Sequence, residues 1–209
     1  MFPRWLIGPT VVVCALCATA CTTGAGDGRV WGSLYLPECG VVDEDYDMGV
    51  DFFAASYFDN TLQIRLQNGG QDQALTDGVV IQVRDVEMLA DSSGQAFEIA
   101  VEPTLEEFLE HGPDVEQPET TWDSPARVTL FLNSTCPENT LGFTDGVGTI
   151  TFHSIYQPEV SKRIKGGFHL RFIDPRTWQG PGEIGAEADL FGEFDFNYSR
   201  GAPAQAFPK

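Results

Sequence analysis

The sequence predicts an all-β fold, an antiparallel β-sandwich of about eight strands with one short helix, and three observations carry that prediction. Apolar and polar residues alternate with period two in one segment after another, which is the signature of strands with one face in a core and one in water. Gly, Asn and Asp stand between those segments, where the chain must reverse. No alternation of strand and helix patterns occurs of the kind that builds parallel sheets. Strands that are apolar on one side must bury that side, and two packed sheets do so most simply. A β-barrel is the alternative, because sequence does not say whether the first and last strands pair.

Residues 1–20 come before the first strand pattern. Arg4 opens an acid-free stretch over 5–20, which Gly8-Pro9 interrupts and small residues at Ala18-Thr19-Ala20 close. The stretch is shorter than the roughly 20 apolar residues that cross a bilayer and has the layout of a secretory signal. Cys21 follows. Ala18-Thr19-Ala20-Cys21 resembles the lipobox of bacterial lipoproteins, departing from it at Ala18, where Leu is usual. The resemblance implies that Cys21 is the lipidated first residue of the mature chain, so that a membrane is held through an N-terminal lipid anchor. Thr22, in the place where Asp tends to retain such proteins at the inner membrane, implies the outer membrane of a diderm bacterium.

Ala18 and Ala20 would equally suit an ordinary signal peptidase, and cysteine parity separates the two outcomes. Cys14 and Cys17 leave with the signal, and acylation of Cys21 leaves Cys39 and Cys136 as an even pair in an oxidising compartment. A Cys39–Cys136 disulfide is therefore expected. Residues 21–28 are small, polar and Gly-rich and read as a flexible tether, with 29–209 as a single β-rich domain.

Strands are expected at 30–36 and 50–58. The next patterns are Leu62, Ile64 and Leu66, then Val79, Ile81 and Val83, then Val128, Leu130 and Leu132. Ile150 and Phe152 oppose Thr149, Thr151 and His153, while Phe168, Leu170 and Phe172 alternate with His169 and Arg171. Last, Leu190, Phe194, Phe196 and Tyr198 face away from Asp189, Glu193, Asp195 and Asn197. Asp59-Asn60 predicts a tight hairpin. Asn68-Gly69-Gly70, Asp77-Gly78, Asp145-Gly146 and Gly166-Gly167 are expected at other reversals. The short helix is expected over 104–111, with Thr104 as N-cap, Glu107 completing a capping box, and Leu105, Phe108 and Leu109 on one face.

The chain has 209 residues, with 31 acidic against 12 basic side chains and a formal charge of -19. A hydrophobic share of 42% is too high for a disordered acidic tail. So acidic a chain lacks the Lys and Arg that displace counterions from phosphate, which argues against nucleic acid as a partner.

Candidate chemistry is sparse. Asp43, Asp45 and Asp47 offer oxygen ligands at alternating positions, as a Ca²⁺ loop would. The EF-hand pattern fails, with Met48 where Gly is needed and Ala54 where Glu is needed. A solvated loop is the plainer reading. Residues 98–119 hold a dense run of acids with no Lys or Arg, and Lys162, Arg163, Lys165, Arg171 and Arg176 could pair with it or touch lipid headgroups. His153 and His169 could approach each other if their strands are neighbours, though no third zinc ligand is indicated. Trp31, Trp122 and Trp178 could stack on sugars, anchor a partner protein, or cap the ends of the sandwich. Nucleophile-elbow, zinc-protease, phosphate-loop and dinucleotide motifs do not occur. The expectation is a membrane-anchored envelope lipoprotein with a non-catalytic binding or structural role, no cofactor and no metal, and an envelope protein or glycan as partner. A carboxylate-based hydrolase and a calcium-stabilised binding module are the alternatives.

Overall fold

The computed structural model describes residues 24–69, 75–99, 124–137, 142–143, 146–174, 180 and 185–198. The expected signal, Cys21 and the expected helix over 104–111 lie outside them. Among the described residues the chain runs through β1 (Ala25–Leu36), a 3-10 turn (Pro37–Cys39), β2 (Val41–Gly49), β3 (Phe52–Phe58), β4 (Thr61–Gln67), β5 (Asp77–Val83) and α1 (Val86–Asp91). It continues through β6 (Ala96–Ile99), β7 (Ala126–Leu132), β8 (Gly142–Phe143), β9 (Val147–Ser154), β10 (Arg163–Ile173) and β11 (Glu187–Asn197).

These strands form a six-stranded sheet in the order β2-β1-β11-β10-β9-β6 and a five-stranded sheet in the order β3-β4-β5-β7-β8. Every pairing is antiparallel. The sheets end in separate edges and do not close, so the fold is a β-sandwich and the barrel alternative falls. Between the sheets lie the fully buried Phe53, Phe152, Phe172, Phe194 and Phe196, with Ile64, Leu66, Val79, Ile81, Val128 and Leu130. Burying one such side chain contributes about 1.5–3 kcal/mol, so the alternation seen in sequence is what holds the layers together.

The expected strand over 50–58 turns out to contain a corner. The Val50 amide donates to Gly28 O in the large sheet, and the next amide, Asp51 N, donates to Gln67 O in the small one. The strands of the two sheets then cross steeply. Phe53, at the start of β3, packs on Phe196 beside the beginning of β1, while Cys136, just past β7, is bonded to Cys39 beyond the end of β1. A row across the small sheet thus runs along β1.

The hairpin at Asp59-Asn60 forms as expected, with φ of 47° and 61°, the left-handed pair that a two-residue turn of matching twist requires. Asn60 also fixes α1. Its side chain donates to Asp85 Oδ1 and accepts from Glu87 N, and Asp85 caps the helix by accepting from Met88 N at 2.9 Å.

Three expectations are corrected. Ala25 to Gly28, expected within the tether over 21–28, are instead the start of β1 and pair with β11. Asp77-Gly78 and Gly166-Gly167 are not reversals but lie inside β5 and β10. At Gly166 the need is close approach, since a Cβ there would stand 2.8 Å from the Phe194 ring and 2.5 Å from Thr151 O. Finally, Asp43, Asp45 and Asp47 sit in strand β2, not in a loop.

Candidate functional site

The outward face of the six-stranded sheet carries the most concentrated chemistry among the described residues. Inward positions of β1 are the even-numbered ones, Val30, Leu34 and Leu36, which leaves Arg29, Trp31, Ser33 and Tyr35 on the water side. The same parity on β11 puts Asp189, Phe191, Glu193 and Asp195 outside, and on β10 it puts Lys165, Gly167, His169 and Arg171 outside.

Register then makes rows. Trp31 lies opposite Phe191, and Phe191 opposite His169. The three rings stack side by side: Trp31 and Phe191 with centroids 6.0 Å apart and planes at 19°, Phe191 and His169 at 4.0 Å and 11°. Arg29 extends the stack, its guanidinium carbon 5.3 Å from the Trp31 ring centroid. Aromatic pairs of this kind add about 0.5–1.5 kcal/mol beyond area burial, so the row braces β10 and β11 against the sequence-distant β1. Phe191 nonetheless stays 40% exposed. The row is a ridge with ring faces turned to one another and ring edges turned to solvent.

Shallow polar grooves flank the ridge. The larger, about 560 Å³, has a floor of Gly28, Gly166 and Gly167 and walls of Arg29, Glu193, Lys165, Asp195 and His153. The smaller, about 250 Å³, lies between Ser33, Tyr35, Arg171, Glu187 and Asp189. Gly167 is what opens the larger one, because it is the outward residue of β10 in the row between Lys165 and His169.

Charges on this face are organised as planar pairs. Arg29 donates from Nε and Nη2 to both oxygens of Asp47, at 2.7 and 2.9 Å. Arg163 grips Asp195 the same way, with Lys165 Nζ 3.5 Å from Asp195 Oδ2, and Arg171 donates twice to Glu187 Oε2. Hydrogen bonds from Arg29 hold the Asp47 carboxyl below its ordinary range, and those from Arg163 do the same for Asp195. His169 Nε2 stands 2.8 Å from Asp189 Oδ1, within hydrogen-bond distance.

A second polar knot is buried. Asp77 accepts from the amides of Ser134 and Thr135, from the Thr135 hydroxyl and from the Tyr46 phenol, so that it ties β2 to the turn that leads into Cys136. Burial first, and then the Asp77 carboxylate, raise the Tyr46 phenol well above its ordinary value. The Cys39–Cys136 disulfide closes the same region with a Cα–Cα distance of 5.4 Å.

The residues singled out in the sequence are distributed unevenly. Trp31 is in the ridge, whereas Trp122 and Trp178 lie outside the described residues, as do Arg176 and most of 98–119. His169 is opposite Thr149, while His153 lies at the bulge facing Lys165 and Gly166. Four residues of strand, about 13 Å, thus separate the two imidazoles along the ladder, and the zinc pairing does not form. Arg163, Lys165 and Arg171 pair with Asp195 and Glu187 on the neighbouring strand. Asp47 is taken by Arg29 on an extended strand, which cannot wrap a cation. No group of three metal-binding side chains converges among the described residues. Phe191 was missed in the sequence, although an aromatic ring in the polar file between Asp189 and Glu193 was a visible signal. None of the described helices is long and apolar enough to cross a membrane. No family model, no characterised protein and no solved structure matches the chain.

Proposed function

We propose that this chain is a lipid-anchored envelope protein, acylated at Cys21, whose sandwich domain binds a glycan without transforming it. The observation that carries the binding reading is the Trp31–Phe191–His169 ridge set between two polar grooves on the water side of a sheet. A glycan suits that surface better than a protein partner does. Protein interfaces want an apolar centre of several side chains, and among the described residues only Phe191 and, on edge strand β2, Val42 are large hydrophobics of this sheet's outer side that are substantially exposed. Hydroxyl-rich ligands instead exploit open grooves in which planar carboxylates and guanidinium groups are already held in place.

The hydrolase alternative draws no support from the described carboxylates. A glycosidase needs one acid with a raised pKa, and the described carboxylates that are displaced, Asp47, Asp85 and Asp195, all move downward. Support for the anchor remains the lipobox-like Ala18-Thr19-Ala20-Cys21 and the residual even pair, Cys39 and Cys136. Sedimentation with purified insoluble cell-wall polysaccharide tests the binding reading. Wild-type protein is expected in the pellet and Phe191→Ala in the supernatant; equal behaviour of the two would remove the ridge from the account.

A further inference from the structure

Gly24 is the first of the described residues, and its amide donates to Phe53 O at 2.8 Å. Only Thr22 and Thr23 stand between Cys21 and that bond. A chain of this length spans at most about 10 Å even when fully extended. A lipid on Cys21 would therefore hold one end of the sandwich against the bilayer and not let the domain roam.

The structure identifies that end. Ala25, Asn197 and Arg163 form its last row on the large sheet. Edge strand β3 lies along it, from Phe53 beneath Gly24 to Tyr57, which packs on Tyr156 and through it on Tyr198. Two large apolar side chains stand out here. Phe58, next to Tyr57 at the hairpin, is 76% exposed, and Val160, in the tight turn where Gln157 pairs with Ser161, is 77% exposed. Both flank the tyrosine cluster at the end from which the chain leaves towards Cys21.

We propose that this end is the domain's membrane-seated face, with Phe58 and Val160 at the boundary between headgroups and acyl chains. The proposal rests on the Cys21 anchor of the preceding reading. Lys162 and Arg163 lie at the same end, but so do Asp27, Asp59 and Glu159, and the chain is strongly acidic. Anionic headgroups would repel such a surface, so the contact depends on the short spacer and the apolar tips. The ridge, six residues further along β1 than Ala25, would then stand about 20 Å above the seat and face sideways.

The test uses the mature, acylated chain in vesicles of phosphatidylethanolamine with a minor share of phosphatidylglycerol. A photo-crosslinking analogue, p-benzoylphenylalanine, replaces Phe58, Val160 or Phe191, one at a time. Lipid adducts at 58 and at 160, with loss of adduct at 191, are the expected result. Acylated, vesicle-bound protein that gives no adduct at 58 and 160, or as much at 191, overturns the seating and leaves the anchor intact. Absence of the acyl mass on the Cys21 peptide overturns both.

Discussion

The imidazole of His169 lies flat on the ring of Phe191, with planes 11° apart, while its Nε2 is held 2.8 Å from Asp189 Oδ1. That contact joins the consecutive strands β10 and β11, and the Trp31 stack on the other side of Phe191 adds β1, from the opposite end of the described chain. Phe191→Ala should lower unfolding free energy by about 0.5–1.5 kcal/mol for each aromatic pair lost. It should also shift the emission of Trp31 to longer wavelength, isolated as the difference from Trp31→Phe. A urea curve and a spectrum check this, and an unmoved Trp31 signal would mean that the rings do not touch in solution.

The disulfide spans 97 residues and ties the end of β1 to the turn after β7. Closure of a loop near that length constrains the unfolded chain by up to about 4.7 kcal/mol. Replacing both Cys39 and Cys136 by Ser should lower the melting temperature, and reduced wild-type protein should melt with the double variant. Identical melting of oxidised and reduced wild type would show that the bond is absent from the protein.

Asp47 and Asp195 are held below the ordinary carboxylate value of 3.8 by hydrogen bonds from Arg29 and Arg163. Their contribution is therefore complete above that value and disappears as pH falls through the lower folded-state value. Both pairs are exposed or nearly so, and the effect is small and screened by salt. Urea midpoints should drop below about pH 4 in wild type, and drop less in Arg29→Ala with Arg163→Ala. A steeper acid limb in the double variant would contradict the sign.

Tyr46 shows the opposite direction. Burial, the Asp77 charge and the hydrogen bond to Asp77 all raise its phenol above the ordinary 10.0. Its contribution is complete below that pH and is lost as pH rises towards the folded-state value, because the unfolded chain ionises first. Tyr46→Phe should flatten the alkaline limb of stability above about pH 10. Asp77→Ala, by contrast, leaves the Ser134 and Thr135 amides without their acceptor and should cost about 3 kcal/mol at neutral pH.

Much of this fold was legible because burial imposes period two. The files at Leu62-Ile64-Leu66, Val79-Ile81-Val83 and Phe168-Leu170-Phe172 all face the core. Strand β2 is hard to tell from a loop in sequence because its acids are so dense, yet Met48 and Val50 alternate with Asp47 and Asp51 in the same way. The Gly166-Gly167 pair is ambiguous for a different reason. A glycine needed to admit the Phe194 ring looks, in sequence, like one needed for a turn. Helix α1 is a single capped turn whose anchor, Asn60, lies on a distant hairpin. The ridge was half legible: Trp31, Phe191 and His169 each stand in a polar file, but the order β1-β11-β10 that aligns them is a tertiary fact.

The outer face of the six-stranded sheet as the binding surface is the central claim, and amide hydrogen exchange with and without soluble cell-wall glycan fragments tests it most directly. Slowed exchange is predicted in 29–33, 165–171 and 189–195, around the ridge and its grooves. Protection confined to β3, β4 or β5 of the other sheet, or no protection at glycan saturation, would contradict it.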